Sequence, residues 1–164
     1  MFISRTAEDD RLDAQRRRRF LGIQKPRRSR TFYHVTEHAT LLLIRAQGLK
    51  PSTDGNAGPG VYLYDDPEWA MQYAGRFFSP VLLRTRSTLP VHSAERIKDL
   101  GWAKRLGKDI PDDTGNLEHV WVLLTETFWH PRRMDVAPLI YDCGLKRYTL
   151  HRGGWKPLER ELAS

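Results

Sequence analysis

Cysteine is nearly absent from this sequence. The chain of 164 residues carries one, Cys143, so no disulfide can form within it, and a reducing, cytoplasmic setting is the expectation. Cys143 stands in LIYDCGLKRYTL without an adjacent base, which argues against a thiol nucleophile. Long apolar runs are missing too: none approaches the roughly 18–20 residues that cross a bilayer. The opening MFISRTAEDDRLDAQRRRR is charged almost from its start, unlike a secretory leader, so no membrane partner is expected. No internal repeat or low-complexity block occurs. GPG and GGW lack the strand–helix context of phosphate-binding fingerprints. HVTEH sets His34 and His38 four apart, but in a strand-like stretch with no convincing third ligand, so no metal is expected.

What is present is basic charge. Lys and Arg number 27 against 20 Asp and Glu, a net +7. That balance suits an anionic partner such as nucleic acid or a phosphorylated ligand, and equally a solubilising surface. Much of the excess lies in RRRR (Arg16–Arg19) and KPRRSR (Lys25–Arg30). Residues 1–30 therefore read as a basic N-terminal arm. A polar helix over Asp9–Phe20 has too few apolar positions to pack a core and is broken near Pro26. Residues 31–164 read as a single domain.

The domain opens with TFYHVT, a β-branched and aromatic strand. EHATLLLIRAQGL follows as a helix with Leu41, Ile44 and Leu49 inward and Gly48 as its cap. KPSTDGNAGPG is a loop and VYLY a strand. DDPEWAMQYAGRFF reads as a helix with an acidic N-cap, Pro67 at its first position and Tyr73 on board. PVLLRTRSTLPV is a strand region, SAERIKDLGWAKRLG a helix interrupted at Gly101, and KDIPDDTGN a loop. LEHVWVLLTETFW is the clearest strand, and MDVAPLIYDC and KRYTLHRGGW are the last two. The order predicts an α+β domain with a split, mainly antiparallel sheet and flanking helices.

Three patterns carry chemistry. YHVT places His34 and Thr36 on one face of a strand. GPGVYLY brings main chain close to a ligand at Gly60 and presents Tyr62, with Tyr73 one helix later; tyrosine faces stack on flat rings. NLEHVWV sets Glu118 at a strand start, where a carboxylate stabilises nearby positive charge. Tyr64 is expected to face away from Tyr62 and is a rival for its place. Tyr73 follows Trp69 by four residues, so core packing competes with stacking. Glu126 is a second carboxylate on the Glu118 strand.

In chain order, YHVT…IRAQGL…GPGVYLYDDPEWAMQYA…NLEHVWV resembles the ADP-ribosyltransferase superfamily of the His–Tyr–Glu type, shared by poly(ADP-ribose) polymerases and diphtheria-like toxins. The resemblance covers about Phe32 to Val122. It implies an ADP-ribosyltransferase-like sheet and NAD as a consumed substrate. By that resemblance His34 binds a ribose hydroxyl and Thr36 helps hold the ribose. The Val35 main chain grips the nicotinamide amide, at a position where members often carry glycine. Gly60 gives close approach, Tyr62 and Tyr73 flank the nicotinamide, and Glu118 is the catalytic carboxylate. The implied activity is mono-ADP-ribosylation of a nucleic acid, a protein or a small molecule. FYHVT and GL…GVYL also resemble NAD-dependent RNA 2'-phosphotransferases, with Arg28, Arg30 and Arg45 as candidate arginines. A non-enzymatic alternative is a basic nucleic-acid-binding module on the same fold.

Overall fold

The structure, a computed structural model, describes residues 6–22, 27, 30–52, 55, 57–99, 117–151 and 153–163. Its centre is β1 (Thr31–Glu37), whose alternation buries Phe32 on one face and Val35 on the other. A 3-10 turn (His38–Thr40) leads into α2 (Leu41–Gln47). Then come β2 (Val61–Tyr64), α3 (Pro67–Met71), β3 (Pro80–Arg86), β4 (Val91–Ser93) and α4 (Ala94–Asp99). The chain continues with β5 (Val120–Leu123), β6 (Met134–Asp142), β7 (Arg147–Leu150), β8 (Lys156–Pro157) and α5 (Leu158–Ala163). The sheet order is β4-β5-β2-β1-β3-β6-β7, with β8 paired to β6, and every pairing among these strands is antiparallel. The α+β class and the mainly antiparallel sheet thus match the sequence pattern.

Apolar clusters fill both faces of the sheet. On one, Phe32, Val61, Leu63, Val81, Leu83 and Val136 pack under α2 and α5 through Leu41 and Leu158. On the other, Val35 and Leu82 pack against Ala70, Met71 and Ala74 of the α3 region. Ile44 packs on the first cluster as expected; Leu49 joins it too, but from beyond the end of α2, in an isolated bridge to Trp129, and not from the helix face.

Gly48 caps α2 with φ +87° and ψ −171°, its N–H bonded to the Ile44 carbonyl. That backbone region is almost confined to glycine. A Cβ there would lie 2.5 Å from the Trp129 oxygen, because Leu49 and Trp129 exchange main-chain hydrogen bonds.

Several expectations need correction. Asp66 caps α3 and Pro67 opens it, but the helix ends at Met71, so Tyr73 lies beyond it, at the start of a 3-10 turn (Ala74–Arg76). PVLLRTRSTLPV divides into β3 and β4. LEHVWVLLTETFW forms strand only over Val120–Leu123. A turn closed by Val120 N–H to the Leu117 carbonyl precedes it, and the Thr125 hydroxyl accepts from Thr127 N–H beyond it. Gly101 and the KDIPDDTGN loop lie outside the described residues.

The polar N-terminal helix is present as α1 (Ala7–Leu21), closed at its start by a reciprocal Thr6–Asp9 capping box. Contrary to the sequence reading, its end joins a core: Leu21 is buried with Ala57, Ala94, Ile97, Val120 and Val122, and Phe20 packs beside them. Burying one leucine is worth about 1.5–3 kcal/mol, which a short polar helix needs, since helices of this length are marginal in isolation. Arg18 adds an ion pair to Glu126 at 2.7 Å.

Gly48→Ala is expected to lower unfolding free energy by about 1–3 kcal/mol in urea titration. An unchanged midpoint would show that the Leu49–Trp129 contact yields easily.

Candidate functional site

β1 is held unequally by its neighbours. It pairs with β3 at every position from Thr31 to Glu37, but with β2 at Tyr33 and Tyr64 alone. Past that pair, Val35–Glu37 and Gly60–Tyr62 run without mutual pairing, and His34 reaches across. Its Nδ1 lies 3.1 Å from the Tyr62 main-chain oxygen. A carbonyl only accepts, so Nδ1 carries the proton and Nε2 presents a lone pair. Burial pushes the imidazole pKa down, against a smaller upward effect of the Tyr62 bond. His34 is therefore held neutral, as a hydrogen-bond acceptor at Nε2.

Thr36 shares that face, two residues on. Its hydroxyl lies 2.9 Å from the Thr40 hydroxyl, which donates to the Glu37 carbonyl at 2.7 Å. The Thr40 proton being committed, Thr36 is the donor of the pair, and its oxygen keeps lone pairs for a ligand. The strand thus aligns two acceptors, His34 Nε2 and Thr36 Oγ1. Val35 points the other way and is buried among Ala70, Met71 and Leu82. Beside the strand end, the Glu37 carboxylate accepts the N–H groups of Phe78 and Ser79, each at 2.8 Å.

The tyrosines are arranged otherwise than the sequence suggested. Opposed residues of an antiparallel pair share a face, so the Tyr33–Tyr64 register puts Tyr64 on the face opposite to His34, and Tyr62 with it. The expectation that the two tyrosines face apart is overturned, because alternate residues of a strand share a face. Tyr62 meets His34 through its main chain. Its phenol donates to the Gly58 carbonyl at 2.5 Å and accepts from Ala57 N–H at 2.9 Å. Its ring underlies the glycine loop, where a Cβ at Gly55 would meet it at 2.3 Å. Gly60, at φ +153°, lies against β5, where a Cβ would be 2.6 Å from the Leu123 oxygen. Tyr73 stacks on Tyr64, with centroids 5.4 Å apart and planes at 37°. The structure brings these two together and does not set Tyr73 against Tyr62. Arg76 covers Tyr73 at 4.7 Å. Burial, then the bond with Tyr73, raises the Tyr64 pKa, so its phenol stays protonated.

Glu118 is exposed in the turn before β5. Tyr64 opposes Val120, so this turn sits past the Tyr64 end of β2, two strands from β1, whereas the strands part at the Tyr62 end. Glu126 is paired with Arg18. The sequence reading missed the group next to Glu118. Asp65 accepts from Trp121 Nε1 at 3.0 Å and bonds His119 Nδ1 at 2.8 Å, while its N–H donates to the His119 carbonyl. Trp69 lies over His119 at 5.1 Å, and Arg27 over Trp121 at 4.6 Å. These contacts fix the turn that carries Glu118. The signal was present: His119 and Trp121 alternate on one strand face opposite the Asp65 end of β2.

No family model matches this chain, and no curated protein or solved structure matches it either. The site is therefore read from its own residues.

Arg17 of α1 was missed as well. It is buried, and its Nη1 donates to the Pro59 carbonyl of the glycine loop. Its Nε and Nη2 are buried without hydrogen-bond partners among the described residues, and burial lowers its pKa to about 10. The guanidinium still carries its charge at neutral pH. Together with burial, the first and larger cause, it depresses His92. Of the other arginines considered, Arg30 is exposed before β1, Arg45 pairs with Glu159 at 3.7 Å, and Arg28 lies outside the described residues. Among the described residues no group of three or more His, Cys, Asp or Glu is placed to hold a metal. His38 lies 3.4 Å from Glu161 instead, and Cys143 is exposed. No described helix is long and apolar enough to cross a membrane.

Two predictions test this geometry. His34 and His92 have folded pKa values below 6.5, so below that pH the unfolded chain binds more protons. Stability should be full above about pH 6.5 and fall as pH drops through the window beneath it. Denaturant unfolding from pH 5 to 8 should show that slope, reduced in His34→Gln; an equal slope in the variant would remove His34 from the account. Asp65→Ala strips Trp121 Nε1 and His119 of their shared acceptor and should cost about 1–3 kcal/mol, with altered tryptophan fluorescence. Wild-type stability and an unshifted spectrum would contradict the bridging role.

Proposed function

We propose that this chain is a mono-ADP-ribosyltransferase that consumes NAD at the parting between β1 and β2. The observation that carries the proposal is the pair of acceptors on one strand face, His34 Nε2 and Thr36 Oγ1. Ribose hydroxyls are donors, and a neutral imidazole with its proton fixed on the far nitrogen is suited to accept from one. On its β2-facing edge, where Val35–Glu37 has no ladder partner, β1 would offer main-chain N–H and C=O groups to the nicotinamide amide.

In the reaction the bond between nicotinamide nitrogen and ribose C1 breaks, and nicotinamide leaves with the bonding pair. An acceptor oxygen or nitrogen attacks the same carbon and loses its proton. The ribose passes through an oxocarbenium-like state, as in glycoside cleavage. Glu118 would stabilise that positive charge and draw the proton from the acceptor. The Asp65–His119–Trp121 group acts through Glu118, by fixing its turn. For Glu118, past the Tyr64 end of β2, to reach the scissile ribose, that ribose must sit on the Tyr64 side of the parting, with His34 its nearer acceptor and Thr36 the farther.

One observation favours a second reading, a nucleic-acid-binding module that does not cleave NAD. The Tyr62 phenol is held by the loop on the face away from His34, so the nicotinamide would lack that tyrosine as a wall. NAD binding without release of nicotinamide would support it.

Glu118→Ala should leave the fold and most NAD affinity intact while lowering turnover by about 10²-fold or more, the usual effect of deleting one transition-state contact. Nicotinamide release and isothermal binding measure the two parts. Full turnover in the variant would rule Glu118 out of the chemistry.

A further inference from the structure

On the α2 and α5 side of the sheet lies a groove of about 240 Å³. Its rim is cationic, with Arg45 from α2 and Arg132 and Arg133 from the segment leading into β6. His130 stands beside them, and the floor includes Ile44, Met134 and Leu158. Glu159 is the one acidic residue of the lining; it pairs with Arg45 at 3.7 Å and is largely exposed, so it can swing aside. Arg133 is steadied by Asp135 at 3.4 Å. Among the described residues, Arg132 and His130 have no hydrogen-bond or ion-pair partner.

We propose that this groove seats the phosphodiester backbone of a single-stranded nucleic acid, which is the acceptor. The binding claim stands on the groove alone; the acceptor role rests on the NAD reading above. Guanidinium forks match phosphate oxygens two at a time. The apolar floor and the His130 ring offer surfaces for base faces, which single strands expose. An acidic polypeptide would meet the same charges, but its carboxylate residues bring no flat ring with each anionic group, whereas a single strand carries a base beside every phosphate.

Position supports the assignment. Leu49 bridges to Trp129 at the edge of the groove, and Ser52 bridges to Gly60 at the parting of β1 and β2. Three residues of extended chain span at most roughly 10 Å. A nucleotide next to a phosphate seated in the groove therefore lies within reach of the proposed ribose site.

The test uses the full chain without NAD and labelled single-stranded DNA and RNA oligonucleotides, read by anisotropy across a salt series. Arg132→Glu/Arg133→Glu should bind at least tenfold more weakly and lose about 1.4 or more from the salt slope, since each phosphate contact on a single strand contributes about 0.7. Arg16→Gln/Arg19→Gln, on the exposed side of α1, should stay within about twofold of wild type. Equal melting temperatures for all three proteins establish that the variants are folded. Unchanged binding in the groove variant, an equal loss in the α1 variant, or tighter binding of poly-glutamate than of either oligonucleotide would overturn the proposal. With NAD added, label should pass to the bound oligonucleotide in wild type. In the groove variant that transfer should fail while nicotinamide release continues. A wild-type protein that binds oligonucleotide but releases no nicotinamide overturns the acceptor role and the proposed function, and leaves the groove's binding intact.

Discussion

The structure depends on one incomplete strand pairing. β1 is fully laddered to β3 and touches β2 in register only at Tyr33 and Tyr64. Main-chain groups that miss their ladder must find other partners or water. The His34 ring supplies one, bonding the Tyr62 carbonyl. A single hydrogen bond thereby does three things. It satisfies an oxygen that the ladder leaves over, fixes the imidazole tautomer, and turns the second ring nitrogen into an acceptor. The Thr36–Thr40–Glu37 chain of hydroxyls repeats that logic one step along the strand.

Around the parting, charge is distributed by element. The glycine loop is gripped on one side by α1, through the buried Arg17 to Pro59, and from beneath by the Tyr62 phenol at Gly58 and Ala57. A buried guanidinium with two nitrogens unpartnered among the described residues is costly. Its retention beside a loop of small residues suits a contact that sets loop position. Across the sheet, Glu37 holds the Phe78–Ser79 turn and Asp65 holds the β5 entry, each with one carboxylate accepting two hydrogens.

Strand and cap signals were legible in the sequence. TFYHVT, VYLY, Pro67 and Gly48 act locally, and local rules find them. The parity of Tyr62 and Tyr64 against His34 was not legible, because it depends on register, and a one-residue slip moves every side chain to the other face. The docking of α1 was missed for a related reason. Composition averages a helix, whereas Leu21 and Arg17 lie near one end of it, on the side that meets the sheet. The extent of β5 was overread because an apolar run marks burial potential and says nothing about where neighbouring strands end. The Asp65–His119–Trp121 group joins residues more than fifty positions apart, and only pairing of β2 with β5 makes them one site.

The burial of Leu21 has a practical meaning for anyone shortening this chain. Cutting at Thr31, where the strand pattern begins, would leave an oily socket between α4 and β5 open to water and release the glycine loop from its outer tether. The N-terminal stretch resembles a detachable tail in its letters, yet it behaves as a buttress.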